Sequence, residues 1–157
     1  MTTPDLTYTD AIKQVEDALR RLHQEAGAKA AFLIDRKGRQ VAAAGEVEQF
    51  GTTSLASLTA GNVAATDGSA RLIGEHELSV LFHEGQQDHV HISIGTKRAI
   101  LVVAFDDRSS LGLVRLRIKR ANSELERIIE EAPASTPEGK PFLAEITDDD
   151  IEALFGE

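Results

Sequence analysis

Three histidines are spaced so that they could do chemistry. His89 and His91 alternate along one apparent strand, and His83 sits on the run before it. Three imidazoles are enough to ligate zinc in a catalytic arrangement. A solvated polar strand face is the plainer explanation, and no metal site is expected. Asp148, Asp149 and Asp150 open like a calcium loop but lack the glycine at the sixth position and the glutamate at the twelfth. Thr147 capping a short helix, with the aspartates on its positive end, explains them better. No phosphate-cradling glycine loop and no G-x-S-x-G elbow occurs, so the chain is not expected to hydrolyse nucleotide or acyl groups itself. With no cysteine, thiolate catalysis and disulfides are excluded. No cofactor is expected.

Arg36, Arg39 and Arg98 fall at turns or strand ends. Arg115, Arg117, Lys119 and Arg120 cluster on a helix, where a solvated face is the simplest role and an acidic segment the alternative ligand.

The most informative segment carries no reactive group. TTSLASLTAGNVAATDGSARLIG, from Thr52 to Gly74, reads as a helix despite interior glycines Gly61 and Gly68. Leu55, Leu58, Asn62, Ala65, Ser69, Leu72 and Ile73 form its broad inward face at helical spacing. Ser57, Gly61, Ala64 and Gly68 form a narrow small-residue stripe flanked by Ala60, Asp67 and Arg71. Small residues let another backbone approach closely. The stripe serves either as a docking surface for a partner or twin subunit, or as a tight contact inside the fold.

The elements that hold these residues follow from periodicity. Residues 9–26 form an amphipathic helix capped by Thr9, with Ile12, Val15, Leu19 and Leu22 inward and Gly27 as its stop. Strands follow at 29–35 and 40–44, joined by the turn Arg36-Lys37-Gly38, and a loop at 45–51 leads to the middle helix. Three strands occupy 77–83, 88–94 and 98–105. Ser109 or Ser110 caps a last helix to about Glu131, with Leu111, Val114, Ile118, Ala121, Leu125 and Ile128 inward.

The expected architecture is an α+β sandwich in the order α-β-β-α-β-β-β-α. Strands 29–35 and 98–105 are continuously apolar, as strands buried on both faces are, so they belong at the centre. Hairpins then extend outward to give a five-stranded, mostly antiparallel sheet of order 2-1-5-4-3. The first and last helices cover one face and the middle helix the other. The 77–83 strand becomes an edge with Leu78, Val80 and Phe82 and no guarding lysine or proline. Pairing with its own copy about a two-fold axis solves this, so a homodimer is expected, with Ser57 near the join.

Charge divides the chain. Net charge is −9, of which −6 lies in 132–157 and −3 in 1–131. Clustered cations and stacking aromatics are too few for nucleic-acid binding. No apolar run reaches membrane-spanning length. The start lacks a signal-peptide pattern, which with the absence of cysteine favours the cytoplasm. Residues 1–131 are expected to form the domain, 132–141 a linker, and 142–157 an acidic-apolar tail. Deleting 141–157 is expected to leave the domain folded. Ile151, Leu154 and Phe155 stand at i, i+3 and i+4, the pattern of a helix that folds into a groove. That groove lies on a partner or on its own domain.

The element order resembles the roadblock (dynein light chain) superfamily. TTSLASLTAGNVAA (52–65), SLGLVRLRIK (110–119) and AEITDDDIEALF (144–155) are similar to its bacterial cell-polarity members. The resemblance spans about Thr9 to Glu157. It implies a cytoplasmic homodimer, enriched at a cell pole, that binds a GTP-loaded Ras-like small GTPase, two subunits to one, and speeds its hydrolysis. It places binding on Ala60, Gly61, Ala64, Gly68 and Arg71, with Asp67 beside them. No arginine finger is marked, so the expected mechanism orders the partner's own switch regions. A scaffold without catalytic effect, a tail that promotes nucleotide exchange, and a histidine metal enzyme are the alternatives.

Overall fold

A computed structural model describes residues 7–50, 60, 80–96, 99–135, 137, 139 and 142–143. Helix α1 spans Tyr8–Ala26. Strands β1 (Ala30–Asp35) and β2 (Gln40–Gly45) follow, then a 3-10 turn at Val47–Phe50. Strands β3 (Val80–Glu84), β4 (Asp88–Thr96) and β5 (Ala99–Asp106) lead to helix α2 (Leu111–Glu131). The five strands form one sheet of order β2-β1-β5-β4-β3, and every neighbouring pair is antiparallel. This is the α+β architecture and strand order that the sequence implies.

The centre of the sheet is β1 against β5. All six residues of β1 and seven of eight in β5 are buried. Their alternating side chains feed two cores. Ala31, Leu33, Leu101, Val103 and Phe105 pack beneath α1 and α2 with Val15, Leu19, Leu22, Val114, Ile118, Leu125 and Ile128. Ala30, Phe32, Ile34, Ile92, Ile100 and Val102 form the opposite core, with Val47, Leu81, Val90 and Ile94 half-buried against it. The middle helix expected over this second core lies outside the described residues except Ala60, which is helical and buried.

Several local expectations change. Thr7, not Thr9, caps α1: its hydroxyl accepts from the Asp10 amide at 3.1 Å. Gly27 ends α1 in the left-handed region at φ 64°, as a C-terminal glycine does. Ser110 caps α2 by accepting from the Leu113 amide at 3.2 Å, while Ser109 donates to the Ala26 carbonyl and fastens the end of α1 to the start of α2. The two helices therefore run antiparallel. Gly45 closes β2 at φ 91°, where a Cβ would come within 2.4 Å of the Lys29 carbonyl oxygen. The edge strand is described from Val80; residues 77–79 lie outside the described residues.

The packed body extends past Ala132. Phe142 and Leu143, the first apolar residues of the expected tail, are 5% and 6% exposed in the helix-covered core. Phe142 meets Tyr8 edge-on at 5.8 Å, and its amide donates to the Ala134 carbonyl at 2.9 Å. Its own carbonyl accepts from Arg39. The anchor has a measurable consequence. Phe142→Ala should lower stability by about 3 kcal/mol, or about 6–12 °C in Tm. Ending the chain after Lys140 should lower Tm well below that of a chain ended after Leu143. Thermal unfolding followed by circular dichroism distinguishes these, and equal melting of the two truncations would contradict the anchor.

Candidate functional site

The three histidines do not converge. Phe82 pairs with His91 and His83 with Val90, so strand alternation puts His83 on the opposite face from His89 and His91. Among the described residues no group of three or more His, Asp or Glu is placed to hold a metal ion.

His89 and His91 are not on a solvated face either, contrary to the reading from alternation. That face of β4 lies under α2. His91 is 2% exposed and Ser93 4%. The Asn122 amide of α2 donates to Ser93 Oγ at 3.3 Å. His91 Nδ1 is buried without a hydrogen-bond partner. Burial, reinforced by the Arg115 charge, pushes its pKa below the ordinary 6.5, so it is held neutral. His89 stays at the rim, its ring 5.3 Å from Phe105 and its Nε2 3.3 Å from Asp107 Oδ1. Alternation identifies which residues share a face; it does not identify which face a helix covers.

Of the arginines at turns and strand ends, Arg39 is committed within the subunit. Asp35 is fully buried at the end of β1, and its Oδ1 accepts from the amides of Lys37 (3.0 Å) and Arg39 (2.9 Å). Its Oδ2 lies 3.1 Å from Arg39 Nε. Arg39 thus clamps a buried carboxylate and the Phe142 carbonyl. Arg108 hydrogen-bonds both oxygens of Asp106 at 3.0 and 3.1 Å, which holds that carboxyl below its usual range. Arg98 lies outside the described residues. Between α1 and α2 the gap lined by Leu22, Arg117, Ala121 and Glu124 measures about 10 Å³, room for a single water.

Of the expected dimer edge, Val80 is 46% exposed on outermost β3. Phe82 turns inward and stacks on Phe105 at 6.1 Å, so it belongs to the subunit's own core as well as its edge. Leu78 and Ser57 lie outside the described residues. So do Gly61, Ala64, Asp67, Gly68 and Arg71 of the expected partner surface, and Ile151, Leu154 and Phe155 of the tail. Ala60 is 5% exposed, which places its methyl within the subunit rather than on its surface.

The described residues form a five-stranded antiparallel sheet with α1 and α2 on one face and with β2 and β3 outermost. Residues 14–105 match the Roadblock/LC7 domain. The chain belongs to the Roadblock/LC7 family. Within it, the chain is 50% identical to Myxococcus xanthus MglB over 76% of this chain and 90% of that one, with a TM-score of 0.73. It is 36% identical to the gliding protein MglB of Thermus thermophilus over 83% of this chain and all of that one, TM-score 0.75. A further structure, MglB with a tetrameric arrangement, is 34% identical over 83% and 98%, TM-score 0.74. No curated protein matches.

The buried imidazole gives a pH signature. Its folded-state pKa is lowered, so as pH falls the unfolded chain takes up the proton first. Stability is fully present above about pH 6.5 and falls as pH drops below it. His91→Leu should flatten the decline in Tm between about pH 7.5 and about pH 5. An unchanged decline would show that the loss comes from other groups.

Proposed function

We propose that the chain acts as a homodimer that binds a GTP-loaded, MglA-like small GTPase, two subunits to one, and accelerates its hydrolysis in the machinery of bacterial front–rear polarity and gliding motility. The observation that carries this reading is the 50% identity to Myxococcus xanthus MglB over nine-tenths of that protein. The open β3 edge supports the two-fold assembly, since Val80 there is exposed and apolar. Pairing of two such edges makes one continuous sheet.

The binding surface is the small-residue stripe of the 52–74 segment: Gly61, Ala64 and Gly68, with Asp67 and Arg71 beside them. Ala60 lies on the inward flank of that segment. Shallow side chains there let the GTPase's switch regions lie against the dimer. The catalytic effect is positional: the dimer holds the partner's own groups in the reactive arrangement. The commitment of Arg39 to buried Asp35 removes that residue as an inserted arginine, a group that would supply about 10³–10⁵ in rate.

Single-turnover GTP hydrolysis by the GTPase, with and without this protein, tests the reading. Stimulation is expected. Binding without stimulation would leave a scaffold, and faster release of labelled GDP without stimulation would make the protein an exchange promoter. Gly68→Arg and Ala64→Arg should keep the dimer and abolish GTPase binding in pull-down; retained binding in either moves the surface elsewhere. Single Arg→Ala changes at exposed arginines should each leave stimulation within about a few-fold, and a loss of about a thousandfold at one position would identify a finger acting in trans.

A further inference from the structure

Helix α2 exposes apolar side chains where a solvated face would carry polar ones. Leu116 is 61% exposed and Leu113 36%. Both lie in its first half, Leu111–Ser123, which also holds Arg115, Arg117, Lys119 and Arg120 and no acid. Its last eight residues hold Glu124, Glu126, Glu130 and Glu131 against Arg127 alone. This order runs against the helix dipole, which favours acids near the N-terminus and bases near the C-terminus. Among the described residues, Arg115, Lys119 and Arg120 form no ion pair. Their placement does not stabilise α2 itself, so it calls for an outside anion.

We infer that the first half of α2 is the docking face for this chain's own C-terminal segment, 144–157. That segment carries six acids and no base, together with Ile151, Leu154 and Phe155 at one-face spacing. Sign and apolar content are therefore complementary. Length agrees as well. Phe142 and Leu143 are fixed beside Tyr8 and Ala134, at the C-terminal end of α2. From Glu131 back to Leu116 the helix rises about 22 Å. Residues 144–147, extended, cover about 14 Å, and 148–155, as the helix that Thr147 caps, about 12 Å more. Ile151, Leu154 and Phe155 then arrive alongside Leu116 and Leu113. The apolar trio covers Leu113 and Leu116, and Asp148, Asp149, Asp150 and Glu152 lie among Arg115, Lys119 and Arg120. The docking depends on α2 and the Phe142 anchor, so it stands whether or not the chain acts on a GTPase.

Because the chain has no cysteine, Ala153→Cys in the full-length protein gives a single site for a nitroxide. Amide signals of Leu113, Leu116, Lys119 and Arg120 are expected to broaden most. Salt at about 1 M, or Lys119→Glu with Arg120→Glu, should relieve the broadening, since screening leaves only the apolar contact. No broadening on α2, or maximal broadening elsewhere, overturns the inference. Broadening seen only when spin-labelled and isotope-labelled chains are mixed assigns the face to a second copy and overturns docking within the chain.

Discussion

The pairing of β1 with β5 is the constraint on which the molecule depends. Both strands are apolar on both faces, and both are buried nearly throughout. Such a pair is stable only if each face of the sheet is covered. On one side α1 and α2 supply the cover, locked end to end by Ser109 on the Ala26 carbonyl. On the other, Phe32, Ile34, Ile100 and Val102 make a second core. The price of this design is Asp35, a carboxylate at the buried end of β1. A buried charge needs full compensation. Asp35 gets it from two turn amides and Arg39, and Arg39 reaches on to Phe142. The central strand thereby fixes both the first hairpin and the point where the C-terminal segment leaves the body.

Away from that pair the sheet is less fully enclosed. β3 pairs with β4 on one side only, and Val80 is exposed at its margin. The polar face of β4 is roofed by α2, with His91 held neutral and Ser93 bonded to Asn122. The imidazoles are thus divided between the faces of the sheet: His91 is buried under α2, His89 sits at the rim, and His83 is exposed on β3.

Much of the fold was legible because its strongest signals are unambiguous. Ala30–Ile34 and Ala99–Phe105 contain no polar residue, which placed them centrally and forced the order 2-1-5-4-3. The last helix was equally plain, since Val114, Ile118, Ala121, Leu125 and Ile128 keep strict spacing. Elsewhere two residues could serve equally well: Thr7 and Thr9 both precede helical residues, and only the hydrogen bond to Asp10 decides. Alternation marked the shared face of His89 and His91, but which face α2 covers is a tertiary fact. Phe142 and Leu143 follow Pro133, Pro137 and Pro141, so they read as the far side of a linker, whereas the chain folds back. The candidate partner surface was read from glycine and alanine spacing and from family resemblance. Apart from Ala60, that stripe lies outside the described residues.

The most direct test of the account is the mass of the complex formed on co-purification with a cognate MglA-like GTPase loaded with a non-hydrolysable GTP analogue. Two copies of this chain with one GTPase is the predicted composition. Failure to co-purify, or one chain per GTPase, would contradict a dimeric platform for a small GTPase.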